Sequence, residues 1–351
     1  MIWLVWRQFR TQALVVAGLL AVFAVALAIN GTHLVHLYDT TVATCAHRND
    51  CVSARARFQA QAKWHNALNL LVLAVPALLG AFWGAPLVAR ELETRTNLLA
   101  WTQSVTRPRW FLVKVAVTGA ASVITAGLVS LMVTWWASPH DRLTNSPYSV
   151  FDQRDIVPMA YALFAFALGV LIGIIIRRTL PAMAATLGTF VGIRIAFGSW
   201  IRPRILSPLH STGVFTLPVS NSVVFIAPSG GGPRDWLLSE TVVTSTGRVV
   251  GSYDLGPNGA VVGISNAFHG AGNLNGVVKC GNGFSPLGQA PTAQMQAAVQ
   301  RCVDSFHLHT IATYLPSSRY WALQWSETAI FVGGAVALIA VGLWWTRKHI
   351  A

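Results

Sequence analysis

Residues 89–114 read ARELETRTNLLAWTQSVTRPRWFLVK, a charged stretch between two long apolar runs. In its first half, Leu92, Thr96 and Leu99 recur at helical spacing and charged side chains occupy the other face, which predicts a short amphipathic helix at a membrane surface. Pro108 then breaks the pattern and the next apolar run follows. A helix held between two membrane spans in this way would pass a push from a soluble partner into both spans.

The composition is that of a polytopic membrane protein. Hydrophobic residues make up 54% of the chain and charged residues 11%, whereas about 25% of the residues are charged in an ordinary soluble domain. The net charge of +13 would suggest a nucleic-acid partner for a soluble chain, but in a membrane protein the basic residues report orientation. We therefore expect membrane lipids, and no nucleic acid, as partners.

Six apolar runs are long enough to cross a hydrocarbon core of about 30 Å, which takes about 20 helical residues. They cover residues 13–29, 67–88, 111–136, 157–176, 180–200 and 328–345. No small-residue cleavage pattern follows the first run, so we interpret it as a permanent span and not as a signal peptide. The predicted fold is an all-α membrane protein with five spans in residues 1–200 and the sixth span and a tail in residues 326–351.

Basic residues concentrate in the loops that are cytoplasmic if the N-terminus is inside. The basic residues of these loops are Arg7, Arg10, Arg90, Arg95, Arg107, Arg109, Lys114, Arg177, Arg178, Arg347 and Lys348. They fall within about 45 positions, whereas the outer loops spread a similar number over about 180 positions, which is the bias of cytoplasmic loops. We predict a multi-pass membrane protein with both termini in the cytoplasm.

Residues 1–10 predict an N-terminal interfacial helix, because tryptophan and phenylalanine rings alternate there with Arg7 and Arg10. Trp6 and Arg7 then belong either to a plain anchor or to a lateral gate. Arg194 is the only charge well inside a predicted span. It either lines a translocation path, with Glu327 as a possible partner, or extends to the outer headgroups.

Residues 201–325 form one outer insertion of soluble composition. Short strands are predicted at residues 223–226, 241–243 and 249–250, and a helix at 292–306. With about 120 residues this insertion is large enough for a small α+β domain of its own.

The four cysteines all lie in the two large outer loops, Cys45 and Cys51 in the first and Cys280 and Cys302 in the last. This placement predicts disulfides in an oxidising compartment, and local pairing is favoured among the three possible pairings. The histidines of the first outer loop lack a recognised ligand spacing, so no metal site is predicted.

Sequence motifs for chemistry are missing. The chain has no phosphate-binding loop, no His-Glu-x-x-His, no Gly-x-Ser-x-Gly and no Gly-x-Gly-x-x-Gly. We therefore predict no catalytic residue and no cofactor in this chain.

The run from Arg90 to Arg107 resembles the coupling-helix signature of type-2 ABC exporter permeases. The shared pattern is an acidic pair, an apolar turn and a small-residue and basic stretch, with Arg95 where many members have Gly. The opening Trp-x-x-Trp-Arg-Gln and the runs 200–204 and 318–327 also resemble actinobacterial members. The resemblance covers nearly all of the chain and implies a bacterial cytoplasmic membrane.

This resemblance implies a permease subunit that exports a drug, an antibiotic, a lipid or a similar substrate. It implies a second permease subunit, identical or homologous, and two copies of an ABC ATPase subunit, which would hold ATP and Mg and dock under the coupling segment 89–110. The implied coupling residues are Arg90, Glu91, Glu93, Arg95, Leu99, Trp101 and Arg107. We expect Glu91 and Glu93 to face a basic notch on the ATPase. Alternatively, Arg90 and Arg95 bind anionic headgroups and the acids only keep the helix soluble.

Two other classes of function remain open at this point. A membrane-anchored sensor or assembly factor would use the outer domain as its working part and would have no ATPase partner. An intramembrane enzyme would need convergent polar groups, which the predicted spans largely lack.

Overall fold

The computed structural model describes residues 2–37, 39–40, 63–94, 106–144, 147–214, 219–220, 223–224, 234–255, 261–265 and 293–349. The chain divides into two compact units. The helical unit comprises Met1–Leu143, Val150–Arg202 and Trp321–Ala351, and the sheet unit comprises Thr144–Ser149 and Pro203–Tyr320.

The described elements follow in chain order. They are α1 (Ile2–Leu37), α2 (Lys63–Leu79), α3 (Ala85–Glu93), α4 (Arg107–Thr144), α5 (Val157–Ile176), α6 (Thr179–Ala196), α7 (Arg202–Ile205), β1 (Leu209–Val214), β2 (Val219–Ser220), β3 (Val223–Val224), β4 (Trp236–Thr244), β5 (Val249–Leu255), β6 (Val261–Ser265), α8 (Ala293–Asp304), β7 (Leu308–Leu315) and α9 (Tyr320–His349). A π-helical turn, Gly80–Gly84, joins α2 to α3, and a second one, Phe197–Ile201, joins α6 to α7. A 3₁₀ segment, Pro147–Gln153, precedes α5.

Six helical stretches within the described residues are long and apolar enough to cross a membrane. They are Arg10–His33, Leu70–Glu93, Pro108–Ala137, Val157–Ile176, Thr179–Ile205 and Ser317–Lys348. The prediction of six spans is confirmed by length and composition, and the fourth span has the predicted bounds.

The ends of three spans differ from the prediction. The predicted interfacial segment 1–10 and the first span form one continuous helix, α1, so no helix ends near residue 10. The fifth span continues through the second π-helical turn to Ile205, beyond the predicted end at residue 200. The helix of the sixth span begins at Tyr320, eight residues before the predicted start at 328. The fifth and sixth spans are longer because buried polar side chains on their extensions find partners, as described below.

The core of the helical unit lies around α5, the most buried of the six spans. Its side chains Phe166, Val170 and Ile174 pack with residues of the second and third spans, and Leu343 and Trp345 of α9 pack against the same cluster. The first, fifth and sixth spans bury much less of their surface within the chain. Their apolar faces are therefore left for lipid or for other chains.

The helices cross most closely where glycines meet. A side chain on Gly169 would place its Cβ 2.3 Å from the carbonyl oxygen of Gly80, and one on Gly173 would place it 2.4 Å from that of Ala85. These obstacles are backbone atoms, which cannot rotate away. Small residues on both helices therefore allow the second span to pack closely against α5.

The sheet unit contains a five-stranded antiparallel sheet in the order β1-β7-β4-β5-β6. Tyr148 packs on Trp236 and Tyr320, at ring-centroid distances of 5.7 and 5.5 Å, and its hydroxyl donates to the carbonyl oxygen of Pro316 at 2.9 Å. The predicted strands at 241–243 and 249–250 fall on β4 and β5, residues 223–224 of the predicted strand 223–226 form β3, and the predicted helix 292–306 is α8. The strands β1, β2, β6 and β7 were not predicted.

Several predicted features lie outside the described residues, among them Cys45, Cys51 and Cys280. Cys302 lies in α8. Its disulfide with Cys280 stays a prediction, because Cys280 lies outside the described residues.

Candidate functional site

Two carboxylates in the last turn of α3 reach different spans. Glu91 forms an ion pair with Lys114 of α4. Glu93 accepts hydrogen bonds from the backbone nitrogen of Thr179, at 3.0 Å, and from its hydroxyl, at 2.7 Å. We call these four residues, Glu91, Glu93, Lys114 and Thr179, the α3 clamp. The two acids predicted to face a partner protein thus have partners within the chain.

The sequence around α3 explains how the clamp is positioned. Pro86 lies in the first turn, where proline favours a helix start. Ala85, Val88 and Ala89 are fully buried, and Ala85 and Ala89 form a small core with Ala182 of α6. The opposite face of α3, which carries Glu91 and Glu93, therefore points away from this core. The two acids lie beside the N-terminal turns of α4 and α6.

The last turn of α3 is closed by a threonine. The nitrogen of Thr94 donates to the carbonyl oxygen of Arg90 at 3.0 Å, and its hydroxyl donates to the same oxygen at 2.9 Å. Arg90 itself is exposed. α3 therefore ends inside the predicted coupling segment 89–110, after its first five residues.

The other predicted coupling residues are only partly covered by the structure. Arg95, Leu99 and Trp101 lie outside the described residues, and Arg107 is the first residue of α4, with a side chain that is not described. The same holds for the side chain of Trp6 in α1, whereas Arg7 is exposed. The coupling role of these residues stays a prediction.

A second polar site surrounds Arg194, the predicted path or gate residue. Its guanidinium Nη2 donates to Asp152 Oδ1 at 2.9 Å, and Nη1 donates to Glu327 Oε1 at 3.3 Å. The guanidinium also lies 3.7 Å from the ring centroid of Tyr161. The predicted partnership with Glu327 is confirmed. The alternative, in which Arg194 extends to headgroups, is wrong, because this side chain is only 13% exposed and is paired.

Arg202 completes this site. Its Nε and Nη2 donate to the two oxygens of Glu327 at 2.9 and 2.8 Å, which is a bidentate pair. Its Nη1 donates to Asp152 Oδ2 at 3.2 Å, and Nη2 also contacts Oδ1 of that carboxylate. Tyr161 accepts a hydrogen bond from Arg202 at 3.0 Å and its hydroxyl contacts both carboxylates. We call Asp152, Tyr161, Arg194, Arg202 and Glu327 the polar cluster.

The charges of the polar cluster cancel, with two arginines against two carboxylates. Glu327 is fully buried and Arg202 is 3% exposed, so each charge is stable there only while its opposite partner is present. Burial alone would raise the pKa of Asp152, but the charges of Arg202 and Arg194 and their hydrogen bonds hold the pKa of this carboxyl well below its ordinary value. Every oxygen of the two carboxylates already accepts a hydrogen bond. The cluster therefore joins four parts of the chain and leaves none of these oxygens unoccupied for a cargo.

Sequence reasoning missed Asp152, Tyr161 and Arg202. Arg202 was assigned to the outer side beside Arg204, because the fifth span was predicted to end at residue 200. A signal was present in the spacing, since Arg194 and Arg202 are eight residues apart, about two helical turns, and would share a face if the helix continued. Asp152 and Tyr161 carry no comparable sequence signal.

The clamp and the polar cluster lie at opposite ends of α5. Tyr161 belongs to the first turns of this helix, and Thr179 follows its last residue by three positions. A helix of 20 residues is about 30 Å long, which is the thickness of a bilayer core.

A comparison with known protein families assigns the chain to a family. The family described as ABC-2 membrane transporter related matches residues 17–202, more than half of the chain. The chain belongs to this family. It is a membrane permease component of the ABC-2 type and an integral membrane protein. The family match includes the whole clamp and reaches Arg202, whereas Glu327 and most of the sheet unit lie beyond it. No curated protein and no solved structure matches the chain.

Proposed function

We propose that this chain is the permease subunit of an ATP-driven exporter that works with a separate ABC ATPase. The ATPase docks against the segment that follows α3, which includes residues 95–105. ATP and Mg bind in that partner, and this chain contributes no catalytic residue. The substrate class that fits the family resemblance is a drug, an antibiotic, a lipid or a similar compound.

The observation that carries the proposal is the attachment of α3. Its last turn contacts the N-terminal part of the third span through Lys114 and the start of the fifth span through Thr179. A segment that continues from a turn held in this way can move two spans when a partner pushes it. Together with membership of an ABC-2 family, this arrangement favours a transporter moved by another protein.

Membrane placement and assembly complete the proposal. The basic residues near the clamp support an orientation with both termini and the clamp on the cytoplasmic side. The membrane that fits the family resemblance is a bacterial cytoplasmic membrane. The weakly buried first, fifth and sixth spans offer apolar surface for lipids and for a second permease subunit. Two ATPase copies then match two permeases.

The sheet unit favours one alternative, a membrane-anchored sensor or assembly factor. It has a core of its own, built on Tyr148, Trp236 and Tyr320, as a working part outside the spans would need. This alternative differs in one observable, because it needs no ATPase.

Affinity purification of the full chain from its native membrane tests the proposal. We expect a protein with a phosphate-binding loop to co-purify, and ATP hydrolysis in the preparation to disappear when the catalytic carboxylate of that protein is replaced. Purification of the chain without any ATPase would favour the sensor or assembly factor.

A further inference from the structure

The two acids of the α3 clamp point to opposite sides of their helix. Residues two positions apart in an α-helix are separated by about 200° around its axis. Glu91 accordingly contacts α4 and Glu93 contacts the first residue of α6. The last turn of α3 is thus held from both sides.

The contact on the Glu91 side is the stronger one. Lys114 is 3% exposed, and its ammonium lies over the ring of Trp110, 4.8 Å from the centroid. A buried ammonium that loses its only carboxylate partner among the described residues is strongly disfavoured. The third span therefore follows Glu91 when α3 moves.

The contact on the Glu93 side is of a different kind. Its carboxylate lies at the N-terminus of α6 and satisfies the nitrogen of Thr179, where a negative charge is favoured by the unpaired N–H groups and the helix dipole. Glu93 is exposed, so solvent weakens this contact. We expect its loss to have the smaller effect.

We propose that Glu91 and Glu93 are positioning residues that transmit motion from the ATPase-docking segment into the third and fifth spans, and that they do not form the docking contact themselves. This inference rests on the proposed function. It replaces the expectation that both acids face the ATPase. The docking contact then falls to the residues that follow the clamp.

A distance measurement across the spans tests this role. The full chain and its ATPase are reconstituted in lipid nanodiscs, with spin labels on Leu131→Cys of α4 and Ile195→Cys of α6, whose parent side chains are 69% and 68% exposed. Double electron–electron resonance records the distance between the labels with and without ATP and vanadate. The unmodified clamp is expected to give a nucleotide-dependent shift of this distance.

The clamp variants are expected to separate motion from docking. Glu91→Gln should abolish the shift while the ATPase stays bound and hydrolyses ATP. Thr179→Val, which keeps the backbone donor, should reduce the shift, and Thr179→Ser should retain it. Arg109→Gln, at an exposed position at the base of α4, is the matched control and should behave like the parent chain.

Charge reversal provides the rescue. Glu91→Lys places a second cation beside Lys114 and should abolish the shift. Combination with Lys114→Glu restores an ion pair of opposite polarity and should recover the shift in part, which a merely destabilising change would not do.

Three results would overturn the inference. They are an unchanged distance shift in Glu91→Gln with the ATPase bound, loss of ATPase binding in Glu91→Gln but not in Arg109→Gln, and no shift in the parent complex. Complete absence of an ATPase from the parent preparation would instead refute the proposed function, and the inference with it.

Discussion

Removal of the charge of Glu327 should destabilise the helical unit strongly. Its side chain is fully buried and accepts from Arg202 at 2.9 and 2.8 Å, from Arg194 at 3.3 Å and from Tyr161. In Glu327→Gln, two buried guanidinium groups face the single charge of Asp152. Breaking a buried ion pair by removing one partner costs about 3–5 kcal/mol, and we expect a loss of this size.

Thermal unfolding of the detergent-solubilised chain measures the effect. For a chain of this size the loss corresponds to a fall in Tm of about 5 °C or more. Asp39→Asn, at an exposed acid outside the cluster, is the control and should leave Tm within about 1 °C, as surface substitutions do.

A double variant tests whether the charges of the polar cluster depend on one another. Arg202→Met together with Glu327→Leu removes one charge of each sign and leaves Arg194 paired with Asp152, so the double variant should lose much less stability than the two single variants added together. If Glu327→Gln unfolded at the same temperature as Asp39→Asn, or if the single effects simply added, the polar cluster would not be the interdependent charge network described here.

Three further predictions follow from the same contacts. Gly169→Ala should lower the folded yield, because its Cβ would lie 2.3 Å from a carbonyl oxygen, whereas Gly188→Ala, whose Cβ would have nothing within 4 Å, should not. Size-exclusion chromatography compares the yields of the two variants, and equal yields would contradict the close helix crossing. Because the pKa of Asp152 is lowered in the folded chain, its carboxylate stabilises the folded chain at every pH above the unfolded pKa of about 3.9. Tm should therefore be flat from about pH 5 to 8 and should fall only as the pH drops toward the folded pKa. A fall in Tm near pH 6 that is absent from Asp152→Asn would contradict this. A membrane-impermeant maleimide applied to intact cells should label Ser207→Cys and not Arg178→Cys, and the reverse pattern would overturn the orientation.

The spans could be predicted from the sequence because a long apolar run has few alternatives. The fourth span, residues 157–176, carries no charge, and its prediction matches the helix. The predicted end of the fifth span came too early and the predicted start of the sixth span came too late, because Arg202, Gln324 and Glu327 lower the local hydropathy. Their burial depends on one another and on α5, where Gln324 Oε1 accepts from the nitrogen of Val157 at 3.2 Å, and a linear pattern does not contain that information.

The clamp shows the same limit of sequence reasoning. The family resemblance implied that Glu91 and Glu93 face a partner protein. Within the chain they contact Lys114 and Thr179, which lie 23 and 86 positions further along, and a linear pattern does not contain such contacts. In the sheet unit, β7 was missed because Thr310, which is buried, interrupts the apolar alternation of Leu308 and Ala312.

Photo-cross-linking from Arg90 in intact cells tests the central claim most directly. Arg90 is exposed beside the clamp, and a photoreactive amino acid at this position should capture a protein that contains a phosphate-binding loop. The same amino acid at Ser207, in the sheet unit, should not capture it. An adduct with an ATPase from Arg90 alone is the result that the account predicts. No ATPase adduct from Arg90, or an equal one from Ser207, would contradict it.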